Sequence, residues 1–233
     1  MNFLKIKNFL LVFLIIFSYL ISVVKTYAVD ITADRTISSS SDGDQYNIKT
    51  NNDIDVIVTN NSTLERNQKI FNVSASSLTG SSITIHLGSS VIAETNSIFS
   101  NGAELTITNT GTIEATNSKA INVSNSDGVS ITNNNNGVIK SNNNTILGDA
   151  GTGADNVTID NSGEIYTTAT GTESSAIVFA NNDTGNTITN NSGGEIYSSG
   201  SESTIVLGVS STLTNSGSIK NNKSVTNKAI QLK

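Results

Sequence analysis

An all-β solenoid is the fold class this sequence predicts, and three observations predict it. The stretch Leu105 to Ile113 returns four more times before the C-terminus, apolar residues alternate with polar ones in short bursts, and proline, cysteine and tryptophan are absent. A repeat whose short segments alternate in this way cannot bury its apolar face alone and must stack on its neighbours. With the Ile two places after each glycine as anchor, Ile113, Ile139, Ile165, Ile196 and Ile219 follow one another at steps of 26, 26, 31 and 23 residues.

At 233 residues the chain has room for one or two compact domains or for one solenoid. Asn, Ser, Thr and Gly fill most of the sequence and only 14% of residues are charged, a composition that by itself fits disorder. The placement of Ile and Val argues for order instead, because alternation is the pattern of a half-buried strand. Without cysteine there is no disulfide framework. The formal charge is −6, and an acidic chain without a basic cluster is a poor partner for nucleic acid or an anionic membrane.

Residues 1–28 read as a signal peptide. Lys5 and Lys7 precede an apolar run from Phe9 to Val24, and Thr26-Tyr27-Ala28 places small residues at −3 and −1 of a cleavage site after Ala28. The alternative is an uncleaved anchor, but such a run spans only about 24 Å as a helix against a hydrocarbon core of about 30 Å. Lys5, Lys7 and Lys25 are three of the 13 basic residues and all 19 acidic ones lie beyond Ala28, so cleavage takes the charge to −9.

Residues 29–80 are looser and are expected to form irregular coils that cap the stack, the alternative being a small flexible leader. Within them Ile54, Val56 and Val58 alternate with Asp55, Ile57 and Thr59, Asn60-Asn61 mark a turn, Ile70, Phe71 and Val73 form a second strand, and Ser38 to Asp44 a polar loop.

Residues 81–233 carry the repeats. Ile83, Ile85 and Leu87 alternate with Thr84 and His86, then Ile107 to Ile113, Ile159 to Ile165 and Leu213 to Ile219 share the frame apolar-x-Asn-x-Gly-x-Ile. Two further copies carry insertions, through Asn133 to Asn136 ahead of Gly137 and through Gly193-Gly194. A second apolar anchor follows in each coil, as Ala120-Ile121, Ile146-Leu147, Ala176-Ile177, Ile205-Val206 and Ala229-Ile230, so each coil has two or three strands.

Stacking at about 4.8 Å puts equivalent residues of neighbouring coils over one another, so the five Ile anchors predict one buried column. At roughly 1.5–3 kcal/mol per buried side chain that column is worth about 10 kcal/mol as an upper bound. The glycines Gly111, Gly137, Gly163 and Gly217 are expected to supply corners with positive φ. Asn109, Asn161 and Asn215 are expected to take left-handed geometry or to stack their amides into a ladder.

Outward from the Ile column, Lys140 is expected over Glu114 and Tyr197 over Tyr166, pairs that tune stacking or offer a platform for carbohydrate. Glu164 and Glu195 hold equivalent places one coil apart, about 5 Å from each other and near the carboxyl separation of retaining glycosidases, but on an open face. His86 is the sole histidine and reads as a solvated side chain, so zinc sites of the usual kinds and a Ser-His-Asp arrangement have no support. The segment Gly148 to Asp155 resembles a calcium-binding Gly/Asp repeat but occurs once, and reads as a bulging loop. No catalytic, cofactor-binding or metal-ligating residue is expected; the repeat anchors are structural.

The frame Ile107-Thr-Asn-Thr-Gly-Thr-Ile113, its partner Ala120-Ile121 and the export signal ahead of them resemble the passenger domain of a bacterial autotransporter. The resemblance covers residues 82 to 233 and the leader. It implies a right-handed parallel β-helix, export through the inner membrane, and display at the outer membrane or outside the cell. It also implies an outer-membrane translocator as partner, in cis or in trans, with host or surface glycans or proteins as ligands. The C-terminal translocator barrel of that family has no counterpart before Lys233, where the chain stops after an ordinary repeat; a truncated frame, a fragment and export by a separate partner are all consistent with that. The expected role is a non-enzymatic stalk or adhesin. The alternatives are a secreted carbohydrate-active β-helix enzyme, for which basic residues are sparse between Arg66 and Lys220, and an inactive fragment of a longer protein.

Overall fold

A computed structural model describes residues 28–49, 53–59, 61–74, 78–102, 104–148, 153–223 and 228–232. The signal peptide lies outside these residues apart from Ala28, as do Asn60 and the Asp149 to Thr152 part of the bulging loop.

The chain is an all-β parallel solenoid. Each coil passes in turn through three sheets, and strands of successive coils pair in parallel to give sheets of nine, eight and eight strands among the described residues. Sheet 1 runs from Ala28–Ile31 to Ile230–Leu232, sheet 2 from Arg35–Ile37 to Thr212–Asn215, and sheet 3 from Ser41–Asp42 to Ser218–Asn221. Segments of two to five residues suffice as strands because each gains its backbone partners from the coils above and below. The 29–80 segment joins the same three sheets in register; Ser41–Asp42, within the expected polar loop, pairs with Leu64 and Glu65.

The predicted column is present on sheet 3. Leu64, Val91, Ile113, Ile139, Ile165, Ile196 and Ile219 are register partners in sequence. Ile113, Ile139, Ile165 and Ile196 are fully buried, whereas Ile219, in the last complete coil described, is only partly covered. Parallel columns line the other two walls, with Ile107, Ile131, Ile159 and Ile188 on sheet 2 and Ile98, Ile121, Ile146, Ile177 and Ile205 on sheet 1. The frame is thus the corner from sheet 2 to sheet 3, and the second anchor is the strand of sheet 1.

At that corner the asparagines form the ladder. Asn109 donates to Asn133 at 2.9 Å, and Asn133 to Asn161, Asn161 to Asn190 and Asn190 to Asn215 each at 2.8 Å. Asn109, Asn133, Asn161 and Asn190 are shut off from solvent, and each Nδ2 also meets the carbonyl oxygen of the frame glycine in its own coil at 3.1–3.2 Å. Left-handed geometry is not used here; the asparagines end their strands in extended backbone, and the left-handed Asx residues are Asp53, Asn61, Asn125 and Asn156.

The expected positive φ at the frame glycines is corrected by the structure. Gly111, Gly137, Gly163 and Gly217 do not adopt it. They are required because the corner passes against the previous coil: a Cβ on Gly163 would lie 2.3 Å from the Gly137 carbonyl oxygen, and one on Gly217 2.3 Å from that of Gly194. In the coil with the Gly193-Gly194 insertion, Gly193 takes the positive φ of 87° and Gly194 the close approach.

Leu87 also departs from the alternation. Its strand ends at Ile85 and the chain turns at Gly88, which leaves Leu87 63% exposed. Outside the walls, sheet 2 presents two columns of short side chains, Ser82, Thr106, Ser130, Thr158, Thr187 and Thr212 in one and Thr84, Thr108, Thr132, Asp160, Thr189 and Thr214 in the other.

Candidate functional site

Sheet 1 departs from the alternation of the repeat in three consecutive coils. Leu147, Val178 and Val206 follow the inward residues Ile146, Ile177 and Ile205, so they point outward, and they are register partners. Outward side chains elsewhere on this sheet include Asp30, Asn47, Asn72 and Asn122, with Phe99 an isolated apolar residue between the last two. Yet Leu147, Val178 and Val206 are only 7–8% exposed and form an apolar cluster separate from the core. Loops on both sides enclose them, and the result is a groove of about 810 Å³ with an aliphatic floor. That size lies within the range of about 300–1,000 Å³ usual for ligand sites.

One wall comes from the corners between sheets 3 and 1 and carries Asn144, Glu173, Ser201 and Glu202; the other carries Ala180, Asn181 and Asn182, with Lys228 and Gln231 closing the far end. Both walls are anchored. The Asn144 side-chain oxygen accepts from the Ser175 backbone at 2.9 Å, and the fully buried Asp183 accepts from the backbone N–H of Ala154 at 2.9 Å and of Ala180 at 2.6 Å. Glu173 stands at a φ of 55°, rare for a residue with a side chain, and its carboxylate accepts from Asn143 at 2.8 Å and pairs with Lys119 at 3.6 Å. The Asn143 hydrogen bond, with the Lys119 charge second, holds the Glu173 carboxyl below its ordinary range. Glu202 accepts from Ser175 at 3.4 Å. An aliphatic strip between carboxylates and amides has the chemistry that suits a ligand with an apolar body and polar edges.

Sheet 3 carries the pairs expected on its outer face. Lys140 and Glu114 form an ion pair at 2.9 Å, and the Lys140 ammonium is raised above its ordinary value: partial burial lowers it, but the hydrogen bond and charge of Glu114, with Tyr166, outweigh that. Tyr166 and Tyr197 stack with centroids 4.5 Å apart and planes 7° from parallel. Each ring therefore spends one face on the other. Glu164 and Glu195 are register partners, and Glu164 accepts from the Tyr197 hydroxyl at 3.2 Å. Burial first, then the Glu164 charge, pushes the Tyr197 phenol well above its usual range.

His86 is exposed, with its Nδ1 3.2 Å from the Thr59 hydroxyl and away from both faces. Among the described residues no three His, Asp or Glu side chains are grouped to hold a metal ion. The Ile column, the asparagines and the frame glycines named from the sequence build the scaffold and do not line the groove, whereas Leu147 and Val206 of the second apolar anchor form its floor. The groove residues escape the repeat frame because most sit in loops of variable length. The signal that points to them is the doubled apolar residue in Ile146-Leu147, Ile177-Val178 and Ile205-Val206, where polar alternation is broken. Compared with known proteins, the chain matches no family model, no curated protein and no solved structure.

Proposed function

We propose that the chain is an exported, non-enzymatic surface solenoid that serves as a stalk or adhesin in the manner of an autotransporter passenger. The observation that carries this reading is the continuous stack. Eight strands of sheet 2 at about 4.8 Å make a column of about 35 Å, which sets one end of the molecule well away from the other. The leader of residues 1–28 supports export, and an outer-membrane translocator, in cis or in trans, is the partner that display requires. The groove over Leu147, Val178 and Val206 supports adhesion to a surface glycan or protein.

The test is N-terminal sequencing and cell fractionation of the full chain expressed in a bacterium with two membranes. A mature N-terminus at Val29 in a fraction outside the cytoplasm is expected; a cytoplasmic protein that retains residues 1–28 overturns the reading.

A second reading, a carbohydrate-active enzyme, has the adjacency of Glu164 and Glu195 in its favour. Polysaccharide cleavage by the purified chain, lost in Glu164→Gln, would establish it.

A further inference from the structure

We propose that the outer face of sheet 2 is an ice-binding surface, on which two columns of threonine hold water in the arrangement of an ice plane. In the six coils from Ser82–Thr84 to Thr212–Thr214, nine of the twelve outward positions among the described residues are Thr and two are Ser. The twelve outward positions of sheet 3 in the same coils hold one Thr, Thr112, and two Ser, Ser90 and Ser218, among Glu, Lys, Tyr, Val and Ile. Composition and strand propensity act on both sheets alike, so they do not account for the difference.

The columns are in register without a slip, so the grid has a spacing of about 4.8 Å between coils and about 6.7 Å along a strand. Waters joined tetrahedrally by hydrogen bonds of about 2.75 Å place second neighbours about 4.5 Å apart and repeat across layers at about 7.3 Å. Between coils the mismatch is about 0.3 Å per step, or about 1.5 Å over the six coils. Along the strand only two columns must match, so that mismatch does not accumulate.

The chemistry of the face fits the same occupant. Apart from Ser82, bonded to Asp55, the hydroxyls of the grid form no hydrogen bond to protein, which leaves them for water. Threonine is stiff at χ1, so little freedom is lost when its hydroxyl and methyl are fixed against a lattice. Asp160 is the one charged residue of the twelve, and its carboxylate accepts from Asn191. A chain of charge −6 thus presents an almost neutral face, complementary to a neutral lattice of water.

This inference goes beyond the surface role above and is tested separately from export. The full chain is purified, its folding is confirmed by circular dichroism, and it is partitioned between a slowly growing ice surface and the remaining liquid. Incorporation into the ice is expected. It should be lost in the double variant Thr132→Lys, Thr189→Lys and retained in Val138→Lys on sheet 3, with both variants melting as the parent does. Exclusion of the folded parent from ice overturns the proposal, and that result does not depend on whether the variants fold. Retention of the parent on crystalline cellulose or chitin together with exclusion from ice also overturns it, and assigns the grid to a polysaccharide lattice instead. Loss in Val138→Lys equal to that in the double variant counts against the assignment to sheet 2.

Discussion

Asn133 donates its side-chain amide to the side-chain oxygen of Asn161 at 2.8 Å, with both residues fully buried. Asn161 in turn donates to Asn190 at 2.8 Å and to the Gly163 carbonyl at 3.1 Å. Replacing Asn161 by alanine strands a donor on one side and an acceptor on the other, each worth about 1–3 kcal/mol when buried without a partner. Asn161→Ala is therefore expected to destabilise the chain by about 3 kcal/mol in urea unfolding. Asn215→Ala, at an exposed rung, should cost well under half of that.

Glycine substitutions separate close approach from backbone conformation. Gly163→Ala drives a Cβ against two carbonyl oxygens of the previous coil, at 2.3 and 2.4 Å, and should cost about 3 kcal/mol. Gly193→Ala meets no atom within 4 Å but keeps a left-handed φ, for about 1 kcal/mol. Gly171→Ala has neither difficulty and should be neutral. Equal midpoints for Gly163→Ala and Gly171→Ala in chemical denaturation would contradict this account.

Core position outweighs hydrophobicity as such. Ile139→Ala removes a fully buried side chain between Ile113 and Ile165 and is expected to cost about 2–5 kcal/mol. Leu87→Ser, at a residue that sequence alternation sends inward, should stay within about 0.5 kcal/mol of the parent. Thermal melts of the two variants read the contrast directly.

Stability should fall on the alkaline side earlier than a solenoid so poor in charge would otherwise show. The Tyr197 phenol titrates higher in the folded chain than in the unfolded one, so its contribution is complete below about pH 10 and is lost as pH rises towards the folded value. Lys140, also raised, loses its contribution in the same direction. Glu173, whose carboxyl is lowered, acts oppositely: its contribution is present above about pH 4.5 and is lost as the pH falls through its folded value. Melting temperature against pH should plateau between these limits. In Tyr197→Phe the alkaline limb should be shallower; an unchanged limb would show that the Tyr197–Glu164 contact does not couple to folding.

Much of this architecture is legible in the sequence because a stack repeats its own physics. The Ile column follows from spacing alone, and Lys140 lies on Glu114 and Tyr197 on Tyr166 because register is uniform. Asn133 and Asn190 belong to the ladder although an insertion of two residues follows each of them, since Ile131-Thr-Asn133 and Ile188-Thr-Asn190 keep the strand part of the frame. The reason for the frame glycines is not local: it is the carbonyl oxygen of a residue some two dozen positions earlier, which no single window contains. The groove is hidden for a related reason. Glu173, Asn182 and Glu202 come from loops of unequal length, and only the stack brings them around Leu147, Val178 and Val206.

All three sheets direct their inter-strand hydrogen bonds along the long axis, from one coil to the next. A pull applied at the two ends of the stack therefore loads these bonds in series. The outermost coil peels first, paying out its length while the coils beneath keep their shape, and the molecule yields stepwise under tension where a sheared sheet would break at a single high force.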